Sequence, residues 1–230
     1  AGEGGSMKER PILFSAPMIR AILAGTKTQT RRLIKPVGND EGFVLQDYGD
    51  GFWPYRSEDG ESGFYRDRDG YDTEERIKCP HGQPGDRLWV RESFSGPYCM
   101  EAQDGMAAAP PSTWAHESRI WYWADGDPTH GDWTRPRPSI HMPRWASRIT
   151  LEVTAVKVER LQDISETDAI AEGIEKTPNG FWSLYGQADA DGTYSPRASY
   201  RALWESINGP RSWDANPWVW CVSFSRLGAA

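Results

Sequence analysis

One alternating segment, residues 147–161, constrains the fold more than any other part of the chain. Ile149, Leu151 and Val153 fall on one side of an extended strand. The phase then slips, and Val156 and Val158 carry the apolar side. Period-two alternation marks a strand with one buried face. A one-residue slip marks a β-bulge, which bends a strand where a sheet curls toward a barrel. Ser147–Leu161 is therefore expected to be the long central strand of a curled sheet.

The neighbouring elements follow from local signals. Ser15 stands as a helix cap, Pro17 suits the first turn, Met18, Ile19, Ile22 and Leu23 form a stripe, and Gly25 ends the helix. A strand is expected over Arg87–Phe94 after the turn Pro84-Gly85-Asp86, and a short one around Tyr122. After the central strand, Ser165 caps a helix with Asp168 three residues on. Ile164 and Ala169 can staple it, and Gly173 stops it. A further helix runs from Pro196 to about Asn208, capped by Ser195. Tyr200, Leu203, Trp204 and Ile207 form its buried stripe, and Gly209-Pro210 ends it. Trp218–Phe224 closes the chain as a strand.

Two long stretches interrupt this order, at about 38–82 and 95–140. The first is rich in Gly, Asp, Tyr and Arg, and Asp50-Gly51, Asp59-Gly60 and Asp69-Gly70 read as hairpin turns. Its aromatic residues, Phe43, Phe52, Trp53, Tyr55, Phe64 and Tyr65, argue against disorder. Ala1–Ser6 read as a cloning remnant. Residues 7–227 are expected to form one α+β domain carrying both insertions.

Composition narrows the function. A net charge of -7 disfavours a protein that coats long duplex nucleic acid, though a local basic cleft remains compatible. Three cysteines, Cys79, Cys99 and Cys221, suit a reducing compartment better than a disulfide framework. No apolar run reaches the roughly 18 residues of a membrane span, so a cytoplasmic protein without membrane contact is expected. Twelve tryptophans invite a base-stacking reading, yet Trp more often fills cores and seams.

Among His81, His116, His130 and His141, only Cys79-Pro80-His81 resembles half of a metal site. No second close pair completes it, so neither metal nor cofactor is expected. P-loop, dinucleotide and Gly-x-Ser-x-Gly signatures are absent from the sequence. The segment Gly25-Thr26-Lys27-Thr28-Gln29-Thr30-Arg31-Arg32 concentrates reactive and cationic groups just past a helix end. Read alone, it is better explained as a solvated turn whose cations offset the helix C-terminus.

Ile22-Leu23-Ala24-Gly25 followed by Lys27-Thr28-Gln29-Thr30 and Arg32 resembles the signature of the ASCH family. Pro84-Gly85-Asp86 with Arg87–Val90, the central strand, the helix to Gly173 and the closing strand follow that family's order. They cover under half of the chain. His141-Met142-Pro143-Arg144-Trp145 is similar to a longer ASCH type found in bacteriophage and prophage genomes. The resemblance implies a small mixed PUA-like β-barrel with flanking helices, and a nucleoside or RNA ligand in a cleft. Some small bacterial members are amidohydrolases that act on N4-acylcytidine. Carried over by position, their Lys, Thr and Glu are Lys27, Thr30 and Glu172.

The chemistry sets conditions on these residues. A Thr hydroxyl attacks an amide only when a base takes its proton. Lys27 serves only when neutral, which requires burial or neighbouring cations such as Arg31 and Arg32. Glu172 then orients Lys27 or carries the proton to the leaving nitrogen. In a regular strand Lys27 and Thr30 point to opposite faces, so a shared site needs a turn or bulge. Thr28 is the fallback nucleophile, and Glu166 the alternative acid. Arg32, Glu92, His141, Arg144 and Trp145 are further substrate-binding candidates. Arg144 and Trp145 offer a phosphate contact and a stacking face, and Glu92 is expected to pair with Arg91 or Arg32. The rival readings are an RNA or modified-nucleotide reader without turnover, a ribonuclease, and a phage assembly protein.

Overall fold

The computed structural model describes residues 7–34, 79–96, 120–185 and 191–228, and the backbone of strands at 43–47, 52–56, 65–66 and 72–73. The turn dipeptides at 50–51, 59–60 and 69–70 lie outside the described residues. The first strands are β1 (Glu9–Leu13), β2 (Gln29–Leu33), β3 (Phe43–Asp47), β4 (Phe52–Arg56), β5 (Tyr65–Arg66) and β6 (Asp72–Thr73). Then come β7 (Arg87–Arg91), β8 (Phe94–Ser95), β9 (Trp121–Tyr122), β10 (Thr150–Arg160) and β11 (Trp218–Arg226). The helices are α1 (Ala16–Leu23), α2 (Glu166–Ala171) and α3 (Pro196–Asn208).

The fold is mixed α+β with a mostly sheet core. Five strands pair in the order β1-β7-β10-β11-β2, and β3-β4, β5-β6 and β8-β9 pair separately. β1 and β7 run parallel, while the other pairings of the main sheet are antiparallel. β10 carries a register shift between Val153 and Ala155, the bulge expected from the slipped phase. The described strands form no closed hydrogen-bonded barrel, and β1 and β2 are the two edges. A side chain joins those edges: Arg32 Nη2 donates to the Leu13 carbonyl at 2.7 Å.

Both faces of the sheet are covered. Ile19 and Ile22 of α1 pack on Ile12, Phe14, Leu88, Val90, Leu151, Val153, Trp220, Val222 and Phe224. On the other face, Ala169 of α2 and Tyr200 and Trp204 of α3 pack on Leu161, Ile164, Val219 and Cys221. β11 therefore buries alternate residues into two cores, which explains its nearly continuous apolar sequence. Trp89, Trp204, Trp213 and Trp220 are all buried, so these four serve packing.

Several local readings are corrected. The strand expected over Arg87–Phe94 stops at Arg91 and resumes as β8, because Glu92 turns inward to Arg148. The central strand starts at Thr150, since Arg144–Ala146 form a short 3-10 turn before it. Ser15 holds the cap position of α1 without a side-chain cap bond. Ser165 and Ser195 do cap, accepting from the amides of Asp168 and Ala198. Ile207 is 58% exposed and leaves the α3 stripe, because only the N-terminal part of that helix meets the sheet.

Candidate functional site

The site begins where α1 ends. Gly25 takes a φ of +75°, and the Ala21 carbonyl then accepts from the amides of both Thr26 and Lys27. Regular pairing of β2 starts only at Gln29. Lys27 sits before it, in an isolated bridge with Glu172. Lys27 therefore lies outside the regular ladder of β2. Glu172 caps the C-terminus of α2, and Gly173 follows with a φ of +79°.

Lys27 is 2% exposed. Its Nζ donates to Glu172 Oε2 at 2.9 Å, to the Glu172 carbonyl at 2.8 Å and to the Gln29 carbonyl at 2.8 Å. It also lies 5.5 Å from the centre of the Phe14 ring. Three acceptors around one nitrogen suit an ammonium with all its protons committed. Burial pulls the amine below its ordinary value of 10.5. The Glu172 carboxylate opposes that fall, while Arg32 and Arg31 deepen it.

Glu172 is 3% exposed and has a second cation, since Arg31 Nη1 donates to its Oε1 at 3.2 Å. Arg31 also meets Glu159 through Nε at 3.0 Å, Gln29 Oε1 at 2.6 Å and Asp168 Oδ2 at 3.4 Å, under the Tyr200 ring. Glu172 thus links the two faces of the sheet. Gln29 and Arg31 point toward α2 and α3, whereas Thr30 and Arg32 share the face of Val222 and Trp220. Arg32 lies 5.2 Å over the same Phe14 ring that Lys27 approaches.

Thr30 is 3% exposed and Thr28 is exposed. The three acceptors of Lys27 Nζ do not include Thr30. Glu166 lies exposed in the first turn of α2.

The remaining candidates gather elsewhere. Glu92 is 2% exposed and pairs with Arg148 at 2.9 and 3.0 Å, not with Arg91 or Arg32. Arg91 instead stacks on Trp89. Arg144 pairs with Glu9 at 3.0 Å, Trp145 packs against the Phe94, Met142 and Ala146 cluster, and His141 is exposed. An open cleft of about 530 Å³, lined by Trp123, Trp133, Thr134 and Arg135 among others, lies apart from Lys27 and Glu172. Its described lining holds no buried acid–base pair.

Sequence reading named Arg31 only as a cation near Lys27 and missed its carboxylate partners Glu159, Asp168 and Glu172. Its signal was present: alternation in β2 puts Gln29 and Arg31 on one face, and a buried Arg must find carboxylates. No helix among the described residues is long and apolar enough to cross a membrane. No family model, curated protein or solved structure matches the chain.

Proposed function

We propose that this chain is an ASCH-type protein of the PUA-like class with a hydrolytic site at Lys27, Thr30 and Glu172. Its particular activity is amide hydrolysis at the acylated N4 of a cytidine-like nucleoside. The observation that carries this reading is the buried Lys27–Glu172 pair, whose amine is lowered by burial and by two arginines. Burial disfavours the ammonium form of Lys27, so its amine is a readier base than that of a solvated Lys.

On substrate entry Glu172 takes one proton from the Lys27 ammonium and leaves a neutral amine. That amine takes the Thr30 hydroxyl proton as Oγ1 attacks the acyl carbon. The carbon–N4 bond breaks as N4 receives the proton held by Glu172, leaving the acyl group as an ester on Thr30. Water then attacks the ester, and its proton returns through Glu172 to Thr30 Oγ1 as the free acid leaves. Arg31 holds Glu172 in place throughout. Lys27 Nζ does not hydrogen-bond Thr30 in this structure, so the first step requires that contact to be made in the substrate complex.

Incubation with N4-acetylcytidine, followed by chromatography, tests the proposal. Cytidine should accumulate with the native chain and not with Lys27→Ala. Absence of conversion across several N4-acyl groups at high enzyme concentration overturns the hydrolase reading.

A further inference from the structure

Two arginines, Arg10 and Arg32, form no ion pair with a carboxylate among the described residues, although Arg32 lies within the field of Glu172. Arg10 lies on β1, on the face of Ile12 and Phe14. Arg32 lies on β2, over the Phe14 ring. The Nε of each is buried without a hydrogen-bond partner. Arg32 uses one donor on the Leu13 carbonyl, and the Arg10 side chain makes no hydrogen bond or ion pair among the described residues.

Scarcity of acids does not explain this. The chain has 33 acidic and 26 basic residues, and Arg31, Arg144, Arg148 and Arg201 all sit against carboxylates. Buried donors without partners are rare in folded proteins and call for a missing acceptor. Arg91 also has an unpartnered Nε, but it stacks on Trp89 away from the face of Leu88 and Val90.

Other observations place the pair at one seam. Arg32 reaches from edge strand β2 to the end of edge strand β1, three residues from Arg10. His81 lies within the field of both: burial first, then Arg32 and Arg10, hold its imidazole at about 4. It is therefore neutral near pH 7 and can donate one N–H without adding charge. Lys27 Nζ adjoins the same Phe14 ring as Arg32. A guanidinium presents its donors in a planar fork that matches phosphate oxygens.

We infer that Arg10 and Arg32 form a phosphate subsite next to the Lys27–Glu172 pair, so that the ligand is a phosphorylated nucleotide and not a free nucleoside. This inference rests on the nucleoside reading of the site. It adds a substrate class to that reading, and it makes Arg10 a binding residue.

Calorimetric titration with cytidine and with cytidine 5′-monophosphate tests it without needing turnover. The monophosphate should bind the native chain at least about tenfold more tightly, as expected for charge-assisted hydrogen bonds. That preference should fall to near unity in Arg10→Gln and persist in Arg201→Gln, an exposed arginine on α3 that controls for net charge. Thermal melting confirms that both variants fold. A cytidine dinucleotide with an internal phosphodiester forms a third arm. The same Arg10 dependence there assigns the subsite to RNA phosphate, while dependence for the monophosphate alone assigns it to mononucleotides. Equal affinity for cytidine and its monophosphate overturns the subsite, as does a preference that survives Arg10→Gln or a failure of every phosphorylated ligand to bind. N4-acetylcytidine hydrolysis with equal affinities leaves the proposed function intact without the subsite. Arg10-dependent binding without hydrolysis removes the hydrolase and keeps the subsite.

Discussion

Lys27 is surrounded by three acceptors and two guanidinium groups, and the balance among them sets its charge. Arg32 is one of the groups that lowers its pKa, so removing that charge raises it. In the proposed mechanism the proton delivered to N4 starts on Lys27, so hydrolysis falls as pH rises through the Lys27 pKa. The falling limb of kcat/KM should therefore move to higher pH in Arg32→Gln. An unmoved limb assigns that proton to another group. Arg31 is the second lever. Its buried side chain faces Glu159, Asp168 and Glu172. Arg31→Met leaves those carboxylates short of a cation and should cost about 3–5 kcal/mol of stability, read by urea denaturation. A loss below about 1 kcal/mol would show that the network is solvated like a surface ion pair.

At the scale of elements, the end of α2 and the start of β2 are held together by one missing side chain. A Cβ on Gly173 would lie 2.7 Å from the Lys27 Cβ and 2.9 Å from the Ala21 Cβ. The positive φ of Gly173 adds strain for any other residue. Gly173→Ala should therefore cost about 1–3 kcal/mol and push Lys27 away from Glu172, lowering hydrolysis together with the melting temperature. Full activity in that variant would refute the close packing.

The sequence made some of these elements legible and hid others, for physical reasons. The bulge in β10 and the cap of α2 depend on residues within a few positions of each other, so local pattern suffices. The break between β7 and β8 depends on Arg148, 56 residues from Glu92, and no local signal reports it. The resemblance singled out Lys27, Thr30 and Glu172, and the structure joins Lys27 to Glu172 but not to Thr30. Arg31 was expected only as a neighbouring cation, because its carboxylate partners come from β10 and α2. Arg10 carried no sequence signal, because an isolated Arg in a strand says nothing until its lack of an ion pair among the described residues is seen.

For the whole molecule, the same network predicts how stability depends on pH. Burial raises the Glu159 carboxyl, but hydrogen bonds from Lys157, Cys221 and Arg31 outweigh it and leave it below its ordinary 4.5. Asp168 is similar: burial raises it, and Ser165, Lys157, Arg31 and Gln29 bring it below 3.8. Both folded values are lowered, so their contribution is fully present above about pH 4.5 and is lost as pH falls through the folded values. Melting temperature should thus decline below about pH 4.5, and less steeply in Arg31→Met, which has less of this stabilisation to lose. Parallel declines in both proteins would place the acid sensitivity elsewhere.

In the proposed reaction the Lys27–Glu172 pair drives hydrolysis. The most direct measurement is kcat/KM for N4-acetylcytidine in the native chain and in Glu172→Gln, with melting temperatures recorded beside it. The account predicts measurable turnover in the native chain and a loss of roughly 10²–10⁴-fold in a folded variant, the usual worth of a positioned acid–base group. A folded Glu172→Gln that hydrolyses like the native chain would contradict it, as would a native chain that does not hydrolyse at all.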